Sequence, residues 1–177
     1  MPQSLRSPPR VMVMKAAKKS DSCSASITIG ATAKAGIALF NSTVAGAATI
    51  HGGNVAAEDS KMEVTTDYTG AIVLTQAGDG DAEFKTSGSS AITLSGAITV
   101  TTDGDGVVTA SNTAGTTFAA IGTDAKKALS TTVSASADAT FGAAVAANTL
   151  TITGDATIQA ADNESEVVAM GASSILY

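Results

Sequence analysis

Short runs of alternating apolar and polar residues recur along this chain, and each of the clearest runs breaks at a glycine. The best examples read ITLSGAITV at 92–100 and LTITGDATI at 150–158, and a weaker copy reads VAGAATI at 44–50. An alternation with a period of two is typical of a strand with one buried face, and a glycine between two runs indicates a tight corner. Each phrase therefore predicts two short strands joined at a corner.

Similar runs follow one another through most of the chain, and Gly, Asn, Asp or Ser fills nearly every gap between them. These residues favour turns. The phrases at 92–100 and 150–158 lie 58 residues apart, a spacing that fits three coils of about 19 residues. We predict an all-β fold, a β-solenoid-like stack of short strands, with a β-sandwich or jelly roll as the alternative. The best helical candidate is 124–129, with Thr123 or Asp124 as its cap.

The amino-acid composition predicts a thin core in which small side chains are common. Hydrophobic residues make up 44% of the 177 residues, but aromatic residues only 3%. Such a chain buries little surface alone, so we expect it to form homo-oligomers. Proline occurs at positions 2, 8 and 9 and nowhere later. This shift predicts a flexible, basic N-terminal arm at 1–24 and an all-β assembly domain at 25–177.

The charge distribution separates the same two parts. Residues 1–19 carry five basic residues and no acid, which leaves −11 on the remainder against an overall −6. An acidic body lacks the basic face that nucleic-acid binding requires. A basic, proline-containing arm suits an anchor that orders when it docks on an acidic neighbour. We therefore expect other structural subunits as partners of the arm, and no nucleic acid.

Targeting signals are not visible in the sequence. No apolar stretch approaches the roughly 18 residues of a membrane helix, and the apolar patch at 11–14 is too short for a conventional secretion signal. Met12 and Met14 are plausible starts besides Met1. The single cysteine, Cys23, excludes an intrachain disulfide framework and a cysteine-rich metal site. These features favour a virion, which assembles inside the cell, and leave an extracellular surface as the alternative.

Two acidic glycine motifs are the sharpest local feature. The sequence Asp79-Gly-Asp81 and the sequence Asp103-Gly-Asp105 each place two carboxylates on a loop with a flexible glycine, as calcium ligand loops do. Glu83 or Asp67 would complete a site between subunits. The alternative is simpler, because Asp-Gly is also a preferred corner between strands and needs no metal. Calcium is the one cofactor that these motifs suggest, and the sequence indicates no other.

Signals of catalysis are absent from the sequence. His51, the single histidine, is not accompanied by a Gly-x-Ser-x-Gly motif, so we expect it to be a surface turn residue. Two Tyr, four Phe and no Trp supply little surface for binding sugars. We predict that the protein is not an enzyme. The pairs Thr99 with Thr101 and Thr151 with Thr153 would each lie on one face of a strand, as ice binding requires, but threonine is also a good strand residue.

The passage from Ala139 to Ile158, ATFGAAVAANTLTITGDATI, resembles the repeated β segments of bacteriophage tail and head fibres and of bacterial surface adhesins. The resemblance implies an elongated, often trimeric shaft and assembly in place of catalysis. We therefore expect a structural, self-assembling protein of a virion, of the fibre or capsid-decoration type. The alternative is a subunit of a cell-surface filament, an array or an adhesin, with calcium as a stabilising ion.

Overall fold

The computed structural model describes residues 11–13, 26–159, 164–172 and 174–176. Within these ranges the chain forms nineteen strands and one 3₁₀ turn, Ala56–Glu58, and no α-helix. The strands are β1 (Val11–Val13), β2 (Ile27–Ile29), β3 (Ile37–Phe40), β4 (Val44–Ala45), β5 (Ala48–Gly52), β6 (Ser60–Val64), β7 (Tyr68–Thr69), β8 (Ile72–Gln76), β9 (Ala82–Gly88), β10 (Ile92–Thr93), β11 (Ile98–Val100), β12 (Asp105–Asn112), β13 (Thr116–Phe118), β14 (Ala128–Val133), β15 (Asp138–Phe141), β16 (Ala147–Ile152), β17 (Asp155–Ile158), β18 (Val167–Met170) and β19 (Ile175–Leu176).

The strands lie on three faces of one coiled chain. Sheet I has eight strands in the order β1-β3-β6-β9-β12-β14-β16-β18. Sheet II has four, β11-β8-β5-β2, and isolated bridges extend it to Ile121 and Val145. Sheet III has five, β10-β13-β15-β17-β19, and a bridge between Tyr68 and Leu94 joins it to the pair β4-β7. Each coil visits sheet I, then sheet III, then sheet II.

Neighbouring strands are parallel throughout the ladders, which is the arrangement of a β-solenoid. The predicted solenoid is confirmed, and the sandwich alternative is wrong. Coil length changes along the stack. Glu83 pairs with Val107, whereas Ser130 pairs with Thr149 and Thr149 with Val167, so the later coils are shorter than the central ones. The coil length predicted from the repeated phrase holds for the later coils only.

Alternation along each strand places every second side chain in the core. In β12 the buried positions are even-numbered and the odd-numbered positions face outward, half-buried. Stacked coils repeat this pattern, so a column of buried side chains crosses them: Met62, Phe84, Val108, Thr131 and Leu150. In sheet III, Phe118 and Phe141 stack with their ring centroids 5.3 Å apart. The few aromatic residues are thus concentrated in the core, where all four phenylalanines and Tyr68 are buried together with Ile, Leu, Val and many alanines.

The glycine phrases mark corners, but not all the same corner. The phrases at 44–50 and 92–100 both form the corner between sheet III and sheet II, and they lie two coils apart. The coil between them has a similar sequence at the same corner, YTGAIVL at 68–74. The phrase at 150–158 leads from sheet I to sheet III. The predicted alignment of 92–100 with 150–158 is therefore wrong in register. Ile92 lies above Thr116, and not in one column with Leu150.

Two further expectations concern local structure. The predicted helix at 124–129 is wrong, because Thr123 and Lys126 form a tight antiparallel bridge and Ala128 already begins β14. Asp and Thr favour such turns as readily as helix caps. Residues 11–13 of the predicted arm form β1, which pairs with β3 at the edge of sheet I. The rest of the arm, including Cys23, lies outside the described residues.

Candidate assembly surfaces and the acidic corner

Three aspartates lie at one corner of consecutive coils. Asp59 precedes β6, Asp81 precedes β9 and Asp105 begins β12, and the pairing of these strands stacks the three positions. Parallel strands lie about 4.8 Å apart, so the carboxylates form a short acidic column along the solenoid axis. We call these three residues the acidic corner.

Hydrogen bonds between coils use these carboxylates. Asp59 Oδ1 accepts the backbone N–H of Asp81 at 2.8 Å. Gln76 lies between the other two: its Nε2 donates to Asp81 Oδ1 at 3.3 Å, and its backbone N–H donates to Asp105 Oδ2 at 3.4 Å. The acidic corner therefore helps to hold the stacked coils together, as carboxylates at turns commonly do.

The negative charges around the acidic corner act on the carboxyl of Asp81. Burial raises the pKa of its carboxyl, and the negative charges of Asp59 and Glu83 raise it further, while the hydrogen bond from Gln76 lowers it in part. A shallow pocket opens beside Asp81 and is lined by Asp59, Asp81, Glu83 and Val107. Ionisation of Asp81 is thus less favourable in the folded protein than in the unfolded chain.

The predicted calcium ligands are only partly brought together. Asp81 and Asp105 share the acidic corner, whereas Asp79 is exposed on its loop and Asp103 Oδ1 accepts the backbone N–H of Lys127 at 2.8 Å. Asp67 lies at another corner, where its Oδ1 accepts the backbone N–H of Thr93.

Among the described residues, no group of three or more His, Cys, Asp or Glu is placed to hold a metal ion. Calcium binding stays a prediction. Sequence reasoning missed Asp59, although it precedes Asp81 by the length of one coil and so could have been found from the repeat.

His51 and Tyr68 have structural surroundings. His51 lies inside β5, half-buried and paired with Thr75, and not in the turn that follows the strand. The Tyr68 side chain is buried in the core, and its hydroxyl donates to the Gly46 carbonyl at 2.6 Å. Burial raises the pKa of Tyr68 to about 12. This hydrogen bond ties two neighbouring coils together at the glycine corner.

Sheet I carries an ordered array of hydroxyl groups on its outer face. In three consecutive strands the outward positions align in two columns, of which one is Val107, Ser130 and Thr149 and the other is Thr109, Thr132 and Thr151. We call the five hydroxyl residues of these columns the hydroxyl grid. Within the described part of the chain, none of their side chains makes a hydrogen bond, and all are half-buried.

Strand β18 ends sheet I at the C-terminal side of the stack. Val168 lies above Leu150 and Met170 above Ile152, so both continue columns of the core. Leu150 and Ile152 are completely buried, but Val168 is 40% exposed and Met170 is 45% exposed. One edge of β18 pairs with β16, while sheet I has no strand beyond the other edge among the described residues. This end of the solenoid leaves core side chains and a strand edge accessible.

Comparisons with known proteins give no relative for this chain. No family model, curated protein or solved structure matches it. The resemblance to phage fibres and adhesins therefore stays a prediction. In the described part of the chain, no helix is long and apolar enough to cross a membrane.

Proposed function

We propose that this protein is a structural, non-catalytic subunit that assembles with copies of itself through the ends of its solenoid, as a fibre or decoration protein of a virion. The observation that carries the proposal is the exposure of Val168 and Met170 in β18, at positions that are completely buried one coil earlier. Apolar side chains and an unpaired strand edge together are a template for another strand.

The parallel topology makes head-to-tail stacking the natural geometry. Strand β1 lies at one edge of sheet I and β18 at the other. A copy translated along the solenoid axis would place its β1 beside β18 in the same parallel direction. Such a contact joins two different surfaces, so it does not close on itself and propagates into a filament.

The energy of one such contact is modest. Full burial of a Val or Met side chain contributes about 1.5–3 kcal/mol, and each backbone hydrogen bond about 0.5–1.5 kcal/mol. Association costs about 4–15 kcal/mol in lost freedom of motion. We therefore expect weak, concentration-dependent association in solution. Attachment of many copies to one particle would strengthen it through a high local concentration.

The test compares substitutions on the two faces of β18. Val168→Lys places a charge on the core column and should abolish association in sedimentation velocity runs at increasing concentration. Val167→Lys is the matched control, because Val167 is 53% exposed and lies on the outer face above Thr149. A protein that stays monomeric at every concentration, or equal effects of the two substitutions, would contradict the proposal. Circular dichroism verifies that both variants keep their strands.

A subunit of a cell-surface filament or adhesin would use the same geometry. Neighbouring genes distinguish the two settings: capsid, portal or tail genes indicate a virion, and secretion genes indicate a cell surface. The arm at 1–24, with its five basic residues, is the proposed anchor in either setting. Removal of residues 1–10, which takes away two of these five basic residues and keeps β1, should leave the strand signal intact and weaken attachment to the partner particle.

A further inference from the structure

We propose that the hydroxyl grid of sheet I binds the surface of ice. The grid has two regular directions. Its rows are strands about 4.8 Å apart, and positions two residues apart along one strand lie about 6.6 Å apart. The first repeat is close to an oxygen–oxygen repeat of the hexagonal ice lattice, and the second is somewhat shorter than the lattice repeat that it would meet. Three strands in strict parallel register maintain these repeats over the whole grid.

Unpaired hydroxyls give the grid its chemistry. A Thr or Ser side chain has one donor and two acceptor positions, and those of Thr109, Thr132 and Thr151 find no partner among the described residues. Water must therefore supply their hydrogen bonds, and the fixed spacing of the side chains imposes that spacing on the water. Holding an ordered first-layer water costs about 0–2 kcal/mol, so a folded surface can hold a regular layer.

Charge separates the grid from the two strands that precede it in sheet I. The outward positions of the two preceding strands carry Lys61, Glu63, Glu83 and Lys85, and Lys61 Nζ forms ion pairs with Glu63 Oε2 at 3.7 Å and with Glu83 Oε2 at 3.6 Å. No charged residue occupies the six positions of the two grid columns. A neutral lattice of water fits a neutral array, whereas charged side chains orient water around themselves. Ice is thus a ligand whose lack of charge and whose shorter lattice repeat fit the grid.

Sheet III offers an internal comparison. Thr93, Thr117, Thr140 and Thr157 form one column in register across four coils. This column has no second hydroxyl column beside it, because Asp138 and Asp155 stack on one side. The column therefore presents threonine side chains that repeat from strand to strand but not along each strand, whereas the grid repeats in both directions. Substitution in this column therefore controls for general effects of losing a surface threonine.

The experiment measures the partition of the purified protein into slowly grown ice, with a non-binding globular protein of similar size as reference. The natural chain should be enriched in the ice several-fold over the reference. Thr132→Arg, at the centre of the grid, should reduce the enrichment to the reference level, and Thr117→Arg should leave it unchanged. Thr109→Lys is a second grid variant, for use if Thr132→Arg loses its strand signal in circular dichroism.

Three outcomes would overturn the inference: exclusion of the natural chain from ice, retention of enrichment in a folded grid variant, or equal loss in the grid variant and in Thr117→Arg. The proposed assembly is tested separately by Val168→Lys. That variant should still enter ice, because Val168 lies on the inner face of sheet I.

Discussion

Buried hydroxyl groups in the solenoid differ in whether they have partners. Thr86 and Thr116, both completely buried, share a hydrogen bond of 2.9 Å between their Oγ1 atoms. The Oγ1 atom of Thr131 is equally buried but has no partner within the described residues. An unpaired buried hydroxyl destabilises a folded protein by about 1–3 kcal/mol. The core of sheet I therefore contains one side chain that is not optimal for stability.

Thr131→Val should stabilise the protein. Valine has nearly the same shape and removes the unpaired hydroxyl from the column between Val108 and Leu150. We expect the free energy of unfolding in urea, followed by circular dichroism, to rise by about 1 kcal/mol. Thr86→Val is the control and should lower it by about 1–3 kcal/mol, since Thr116 then loses its partner. Destabilisation by Thr131→Val would show that its hydroxyl has a partner.

Asp81→Asn should stabilise the protein at neutral pH and not at pH 3. The pKa of Asp81 is raised in the folded state, so protonation of its carboxyl favours the folded protein. This contribution to the free energy of unfolding is complete below the unfolded pKa of about 3.9 and is lost as the pH rises through the folded pKa. Asparagine keeps an Oδ1 acceptor for Gln76 and carries no charge. The gain at pH 7 should stay below about 1 kcal/mol, since the site is partly exposed.

Asp59→Asn provides the control for this pH effect. It removes a charge that raises the pKa of Asp81 while keeping an acceptor for the Asp81 backbone N–H. In that background, the gain from Asp81→Asn should shrink when the variants are compared in urea at pH 3 and pH 7. A lower stability of Asp81→Asn than of the natural chain at pH 7 would refute repulsion at the acidic corner.

At the scale of elements, the corners between sheet III and sheet II depend on glycine. Gly46 and Gly70 have φ angles of 129° and 145°, which residues with a side chain rarely adopt. A Cβ atom on Gly70 would lie well inside the van der Waals radius of the Gly46 carbonyl oxygen, and one on Gly96 would meet the Gly70 carbonyl in the same way. Backbones of successive coils thus touch directly at this corner.

Gly70→Ala should lower the free energy of unfolding by at least about 2–3 kcal/mol, through backbone strain and the clash with Gly46. Gly88→Ala is the matched control. Gly88 also has a positive φ, 116°, but its nearest neighbour, Thr65 Cβ, would lie 3.7 Å from the new atom. The control should lose about 1–2 kcal/mol from strain alone. Equal losses in the two variants would show that the coils do not touch at Gly70.

Local patterns in the sequence predicted the strands well and the register between coils less well. Alternation in ITLSGAITV is local information, so the strand–corner–strand unit at 92–100 followed directly from it. Register between coils depends on loop lengths, and these vary from one coil to the next. The alignment of 92–100 with 150–158 failed for that reason, because a glycine can serve either corner. The hydroxyl grid depends on register and emerged only from the fold, whereas the spacing of Asp59 and Asp81 by one coil is already present in the sequence.

At the scale of the whole molecule, stability is distributed along one axis. Each coil contacts mainly the coils before and after it, so the stack behaves as a row of units with interfaces between neighbours. Strand β12 pairs on both sides, with β9 and β14, whereas β18 pairs on one side, with β16, within the part of the chain that the structure describes. Opening of the end coil breaks one interface, and opening of a central coil breaks two. The described C-terminal end should therefore open more easily than the central coils.

Hydrogen exchange measures this gradient and also tests the assembly. In dilute solution, amides of β18 should exchange at least tenfold faster than those of β12, because β12 has a neighbouring strand on both sides and β18, among the described strands, on one side. Protection of β18 should rise with protein concentration, since a stacked copy covers its free edge, while protection of β12 should not change. Val168→Lys should remove the concentration dependence and keep the gradient. Uniform protection along the chain would instead indicate that the solenoid opens as a single unit. Protection of β18 that does not change with protein concentration would argue against stacking through this end.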